Sequence, residues 1–276
     1  MSKTVDIVSD LHIDYWSQEL KHNIKFDFSS TKNHPLKWEN KNIFNKLLIV
    51  AGDISDNLDL SIKELDKISK FYDKVLFVDG NHEHYHIYPN LHSLDDIYNK
   101  IKSLNNSKIK YLPKETFKFG KIAFIGYCGW WNFNNKKPHE TEKHINFFKE
   151  NYPEFKEEQN IRNTEYIYNR SIEEYNLLVE RLKELEKDSN IEEIVIVTHT
   201  LPRAFFSQGY LESEFNTEFS NINKQNYPKL SKWIFGHTHA IHETKLLEPG
   251  IQFISNPRGR PDDYNRINYQ IRYSNL

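Results

Sequence analysis

Trp233-Ile234-Phe235-Gly236-His237-Thr238-His239 is an apolar run that stops at a glycine and continues into two histidines with one residue between them. The run reads as a buried strand, and Gly236 lets the backbone turn where a side chain would strain it. Histidines just beyond a strand end are held by a rigid element, yet they face the crevice where open α/β sheets place their ligands. Two neighbouring histidines alone are ordinarily just a solvated pair. The reading gains force because four other strand ends in this chain finish in the same kind of chemistry.

Working outward from that stretch, Ile194-Val195-Ile196-Val197 ends in Thr198-His199, and Val75-Leu76-Phe77-Val78 ends in Asp79-Gly80-Asn81-His82-Glu83. Leu47-Leu48-Ile49-Val50-Ala51 ends in Gly52-Asp53, and Val5-Asp6-Ile7-Val8 runs directly into Ser9-Asp10-Leu11-His12. Between the strands lie helical stripes. One is Leu58, Ile62, Leu65, Ile68 and Phe71/Tyr72 over 58–72, and another is Leu91, Leu94, Ile97/Tyr98, Ile101 and Leu104. A long one over 158–188 places Ile161, Tyr168, Ile172, Tyr175, Leu178, Leu182 and Leu185 on one face and a charged, solvated surface opposite. Strand–helix alternation predicts parallel strands joined by right-handed crossovers.

Residues 116–125 and 244–255 read as hairpins, turning at Phe119-Gly120 and Pro249-Gly250. Residues 14–46 read as a long ordered excursion, 134–157 as a polar stretch broken by Pro138 and Pro153, and 202–227 as a loop. The segment 126–133 (GYCGWWNF) is too aromatic for an ordinary loop, which places Trp130 and Trp131 either in the core under the long helix or at a pocket mouth. No repeat or boundary divides the chain. The expectation is one domain over 1–276 with an inserted helical and aromatic segment at about 129–190.

Composition removes several classes of function. With 37 Lys+Arg against 39 Asp+Glu the formal charge is −2, so there is no basic footprint and nucleic acid is not a favoured partner. The single cysteine, Cys128, rules out an internal disulfide. No secretory leader is evident, and the expected location is the cytoplasm. No apolar run approaches the roughly 20 residues that cross a bilayer, so no membrane partner is expected. Thirteen histidines are the unusual count.

The strand ends carry the chemistry. Asp10, His12, Asp53, Asn81, His199, His237 and His239 each follow a short apolar strand. Imidazole and carboxylate suit Zn, Mn and Fe, and a thiolate cage is excluded by composition. Seven such groups are too many for one tetrahedral ion. They suit two metals about 3.5–4 Å apart with a carboxylate able to bridge.

In this order the blocks resemble the calcineurin-like metallophosphoesterase superfamily, whose motifs are Asp-x-His, Gly-Asp, Gly-Asn-His-Asp/Glu, a lone His after a strand, and Gly-His-x-His. The chain matches with Asp10-Leu11-His12, Gly52-Asp53, Gly80-Asn81-His82-Glu83, His199 and Gly236-His237-Thr238-His239, a span of residues 5–239. Small stand-alone bacterial and phage members share the later Asn-Pro-Arg-Gly block. The resemblance implies an α/β fold, a four-layer αββα sandwich of two mixed β-sheets flanked by helices. It implies a dinuclear centre with Asp10, His12 and His239 on one metal, Asn81, His199 and His237 on the other, and Asp53 bridging. It also implies that His82 donates to the scissile phosphate or leaving group. Asp56 is the candidate to orient that ring, because protein Ser/Thr phosphatases of the superfamily carry an aspartate at this offset. His84 and His86 are also expected to be surface or structural, and of the unassigned histidines they are the first candidates to line the pocket. The remaining six, His22, His34, His92, His139, His144 and His242, are expected to be surface or structural.

One departure matters. Those phosphatases continue Gly-Asp-x-x-Asp-Arg-Gly, with the arginine gripping phosphate, whereas this chain reads Gly52-Asp53-Ile54-Ser55-Asp56-Asn57. Asparagine does not replace a bidentate guanidinium. The stiff loop Asn256-Pro257-Arg258-Gly259-Arg260-Pro261 offers a substitute, and Arg258 is the residue predicted to face the metal centre. The functional expectation is a phosphoesterase acting on a small-molecule phosphoester. Small nucleotide-like diesters come first, monoesters second and nucleic-acid ends third. A non-catalytic scaffold of the same fold is the competing reading, and retention of every motif residue argues against it.

Overall fold

The apolar residues of the short strands alternate between two separate cores, and this alternation builds the layers. The structure, a computed structural model, describes residues 4–16, 46–87, 92–135, 157–207, 216–261, 263 and 269–276. Strands β1 (Thr4–Val8), β2 (Leu47–Ala51), β3 (Lys74–Val78) and β4 (Ile109–Tyr111) run parallel in that order, with β11 (Arg272–Asn275) antiparallel on the outer edge of β1. The second sheet has the order β5-β6-β7-β8-β10-β9. It is built from β5 (Phe117–Phe119), β6 (Ile122–Tyr127), β7 (Glu193–Thr198), β8 (Leu230–Phe235), β9 (His242–Glu248) and β10 (Ile251–Ser255). Its four central strands are parallel and both edge strands antiparallel, so both sheets are mixed.

Val5, Ile7, Leu47, Ile49, Ala51, Leu76 and Val78 of the first sheet share one core with Ile122, Phe124, Val195, Val197, Ile234 and Ile254 of the second. The alternate residues point the other way, because side chains change face at each step along a strand. Leu48, Val50, Val75 and Phe77 pack with Leu58, Ile62 and Leu65 of helix α1 (Leu58–Ile68) and Ile97 and Ile101 of helix α2 (Leu94–Ser103). Ile194, Ile196 and Trp233 share that outer packing with Leu178, Leu182 and Leu185 of helix α3 (Glu157–Lys187), the crossover between β6 and β7. Two sheets face to face with helices outside them make the four-layer αββα sandwich.

The helices start where capping chemistry allows. Asn57 accepts from Leu60 N at the head of α1, and Ser93 and Asp96 form a reciprocal capping box at the head of α2. Helix α1 stops at Ile68, short of the expected 72. Ser69 caps it, and Tyr72 turns inward to donate to Asp6 Oδ2 at 3.1 Å. Strands β4 and β11 carry too little alternation to be read from sequence, at three residues and with only Ser274 buried in β11. Most of the excursion at 14–46 and of the polar stretch at 134–157 lies outside the described residues, as do His22, His34, His139 and His144.

Candidate metal centre

Five parallel strands end on the same side of the sandwich, and their loops are tied to one another through the backbone. Asp10 N donates to Gly52 O at 3.0 Å, His12 N to Asp53 O at 3.2 Å, and Gly236 N to His199 O at 2.9 Å. Asp10, His12, Asp53, His237 and His239 all adopt positive φ, between 44° and 77°. Such backbones cost on the order of 1–3 kcal/mol each and persist only where the surroundings over-determine them. Five of the seven candidate ligands are therefore held in conformations that turn a strand-end side chain toward a common point. Gly80 completes the approach, since a Cβ there would lie 2.1 Å from Asp53 Oδ1.

The seven residues gather into two groups. Asp10, His12 and His239 bring ligand atoms within 4.8 Å of one another, and so do Asp53, His199 and His237. His12 Nε2 and His239 Nε2 face each other at 2.9 Å, with Asp10 Oδ1 3.7 Å from the latter. In the second group His199 Nε2 lies 3.1 Å from both Asp53 Oδ2 and Asn81 Oδ1. The far nitrogens are already taken: His199 Nδ1 by Ala51 O at 2.9 Å, and His239 Nδ1 by Asp263 Oδ2 at 2.6 Å. Engaging Nδ1 fixes the tautomer that leaves Nε2 for a cation. Convergent oxygens and imidazole nitrogens, with the outer partners of His199 and His239 in place, fit two borderline metal ions.

The electrostatics of the site show the same preference for positive charge at its middle. Burial works against a charged His199, but Asp53 and then Asp10 outweigh it and push its pKa up to about 10. Burial likewise opposes ionisation of Asp53, and His199 and His82 overcome it, holding that carboxyl well below its usual range.

His82 stands beside the two groups rather than within them. Its backbone N–H donates to Asp53 Oδ1 at 2.9 Å, its Nδ1 lies 2.5 Å from Asp56 Oδ1, and Tyr15 OH donates to the other Asp56 oxygen at 2.9 Å. Burial disfavours the charged ring, yet Asp53 and Asp56 prevail and raise its pKa. The geometry puts Asp56 where an orienting carboxylate belongs. His12, Asp56 and His82 also approach within 4.8 Å as a set, but both His82 nitrogens are engaged, Nε2 by the Arg260 guanidinium at 3.1 Å. Arginine only donates, so the neutral His82 ring accepts at Nε2 and keeps its proton on Nδ1.

Arg258 does not face the centre. Its side chain is fully buried, its guanidinium stacks 3.9 Å over the Trp16 ring, and Nη1 donates to Leu11 O at 3.2 Å. Burial lowers its pKa well below the ordinary value. The reason is Gly259 at φ +78°, which breaks the extended run, so that Arg258 anchors the loop in the core and Arg260 reaches the site. Nor does His84 line the pocket. It is buried, with Nε2 2.9 Å from Asp79 Oδ2, which sits in a network with Tyr111 OH, and with Nδ1 accepting from His92 N. The His86 side chain lies outside the described residues. His242 packs against Phe206 and Phe235, a structural role as expected. Trp130 and Trp131 are core residues, and Trp131 also stacks on His237 at 5.8 Å.

Glu83 is the residue whose importance the motif alone did not convey. Its buried carboxylate accepts from Ile54 N at 2.7 Å, Gly80 N at 2.7 Å, Asp53 N at 3.0 Å and Ser61 Oγ at 2.9 Å, clasping the two loops that carry Asp53 and Asn81. Tyr15, Arg260 and Asp263 were likewise not singled out, since no spacing links them to the motif blocks.

A family model described as calcineurin-like phosphoesterase matches residues 3–240. Uncharacterized protein L509 of Acanthamoeba polyphaga mimivirus is 28% identical over 281 residues, covering 95% of this chain and 92% of its own. Among solved structures, the phosphopantetheinyl hydrolase PptH of Mycobacterium tuberculosis superposes with a TM-score of 0.67 at 14% identity, over 99% of this chain and 96% of that one. A dimetal phosphatase from Danio rerio gives 0.54 at 16% identity, over 100% and 93%. These structural likenesses share the fold, and the family match spans all five ligand-bearing strand ends. The chain belongs to the calcineurin-like phosphoesterase family.

Proposed function

We propose that this protein hydrolyses a small phosphodiester of nucleotide-like size at a dinuclear transition-metal centre of Mn, Fe or Zn. Family membership supports hydrolysis of a phosphoester bond. The observation that carries the two-metal hydrolytic reading is the pairing of two convergent ligand groups with a separate, carboxylate-oriented histidine. Asp10, His12 and His239 would hold one ion and Asn81, His199 and His237 the other, with Asp53 between them. When bound, the ions supply Lewis acidity and a water acidic enough to attack near neutral pH.

The chain's own residues do the rest. Asp56 fixes the His82 ring through Nδ1, and in the charged ring that Asp53 and Asp56 favour Nε2 would carry the proton passed to the departing oxygen, the Arg260 contact belonging to the neutral ring. Glu83 keeps the Asp53 and Asn81 loops in register, so that the ligand positions exist before substrate arrives. A scaffold has no need of an oriented His82, and its retention with Asp56 favours the enzyme. The formal charge of −2 argues against nucleic-acid ends as substrates, and a small-molecule ester used in the cytoplasm remains the reading.

A turnover screen of the Mn-loaded protein tests this against aryl monoesters, bis-aryl diesters and cyclic nucleotides. Diester turnover should exceed monoester turnover. Two bound metals with no turnover on any ester would return the chain to the scaffold reading.

A further inference from the structure

We infer that Arg260, steadied by Tyr15 and Asp263, is the residue that grips the substrate phosphate in place of the arginine absent after Asp56. The inference rests on the phosphoesterase reading above and assigns a role within that site. Arg260 Nη2 lies 3.1 Å from His82 Nε2, the atom proposed to meet the leaving oxygen. A donor within hydrogen-bond reach of that nitrogen also reaches an oxygen on the phosphorus that the leaving group departs from.

The guanidinium is aimed, and beyond its His82 contact it is not spent on a carboxylate. Its carbon sits 4.9 Å over the Tyr15 ring, and the Tyr15 hydroxyl is fixed by Asp56 Oδ2 at 2.9 Å. Asp56, His82, Arg260 and Tyr15 therefore close a loop of four side chains, each positioned by the next. Stacking on an aromatic face orients the planar fork without using its N–H donors. Among the described residues no carboxylate forms a salt bridge with this guanidinium, and its buried Nε has no partner. Arg203, by contrast, spends its donors on Pro202 O, Phe219 O, Ile222 O and Glu248. Arg260 keeps positive charge and a free donor beside the candidate metal centre, which is what a phosphate oxygen selects.

The backbone is tied to the centre as well. Asp263 Oδ2 accepts from Arg260 N at 2.6 Å and lies 2.6 Å from His239 Nδ1, so one carboxylate sets both the arginine and a candidate metal ligand. Upstream, Arg258 N and Gly259 N donate to Ser9 O and Asp10 O, and Trp16 Nε1 donates to Gly259 O. The loop is thereby fastened to the strand end that carries Asp10 and His12. Its reach into the site is a property of the fold rather than of a loose surface chain.

The test measures orthophosphate binding to the Mn-loaded protein by calorimetry, alongside metal content, thermal unfolding and steady-state kinetics, for wild type, Arg260→Ala and Arg260→Lys. Loss of one charge-assisted hydrogen bond predicts roughly 10- to 150-fold weaker orthophosphate binding in Arg260→Ala, with a similar fall in kcat/KM. Metal content and unfolding temperature should stay at the wild-type values. Arg260→Lys should recover part of the affinity, and millimolar methylguanidine should restore part of the turnover of Arg260→Ala. An Arg260→Ala protein that keeps its metals and binds orthophosphate as wild type does would overturn the assignment, even if kcat fell, because Arg260 would then act only on His82. Arg260→Lys decides the matter on the same reading if the alanine variant does not fold. A metal-loaded wild type that neither binds orthophosphate nor turns over any ester would overturn the underlying phosphoesterase reading instead.

Discussion

Glu83 accepts the backbone N–H of Asp53 at 3.0 Å while its other oxygen accepts that of Ile54 at 2.7 Å, so the proposed bridging ligand is set by a carboxylate thirty residues away. With Gly80 N and Ser61 Oγ also donating to it, Glu83 is an acceptor surrounded by donors. Replacing it with glutamine turns an amide NH2 toward a backbone N–H, which only donates, whichever way the amide is placed. Glu83→Gln should cost about 3 kcal/mol of stability and lower metal affinity about 10- to 100-fold. Chemical unfolding and metal titration check both. Unchanged metal affinity would leave Glu83 as a fold residue without a hold on the site.

Chemistry should separate from metal binding at His82. His82→Ala should retain two metal equivalents and lose about 10²–10⁴-fold in kcat, the scale of a lost general acid. Asp56→Asn should lose less, because it disturbs only the ring's orientation and leaves Nε2 in place. Elemental analysis beside steady-state kinetics resolves the two effects. A fall in metal content in His82→Ala would make His82 a ligand and not a proton donor.

Metal binding should release protons. His199 in the metal-free fold has its pKa pushed up to about 10, against an ordinary 6.5, by the Asp53 carboxylate that overcomes burial. The stability this pair contributes is complete below about 6.5 and is lost as pH rises through about 10. A metal ligand must be neutral, so at pH values inside that window the proton leaves when the cation arrives. Calorimetric Mn binding in two buffers of different ionisation heat should differ by about one proton per chain or more, and affinity should rise with pH across the window. A buffer-independent heat would mean that His199 is neutral beforehand or does not ligate.

Trp131 packs its ring on His237 with an interplanar angle of 28°, and both it and Trp130 lie within the core. Trp131→Ala should cost about 3–5 kcal/mol through the cavity it leaves. It should also weaken metal binding by freeing the His237 ring. Trp130→Ala, whose neighbours are Trp131 and the buried His84, should lose stability without a matching loss of metal affinity. Differential scanning calorimetry with metal titration distinguishes the pair. Equal metal affinity in both variants would reduce Trp131 to packing alone.

Much of the site was legible because its information is local. A run such as Leu47–Ala51 declares a buried strand by composition, and Gly52-Asp53 after it declares a turn that presents a carboxylate. Five such ends in a fixed order identified the family, and the two-core alternation of Ile7, Ile49 and Leu76 against Leu48, Val50 and Phe77 followed from strand periodicity. Strand β11 stayed hidden because an edge strand reading Arg272-Tyr273-Ser274-Asn275 has almost nothing to bury.

The sequence by itself determined which residues could bind metal, since strand-end backbone chemistry is written in adjacent positions. Only the tertiary structure decided what surrounds them. Arg258 and Arg260 are two residues apart and chemically identical, one following Pro257 and the other preceding Pro261. The left-handed turn at Gly259 sends one guanidinium onto Trp16 in the core and the other to His82. His84, three residues from Asn81, turns to Asp79 because a buried imidazole must satisfy both nitrogens, and its partners come from β3 and from His92. The arginine outcomes depend on contacts with residues 178 or more positions away and His84 on partners five and eight away, and no local pattern specifies which of two like side chains will meet them.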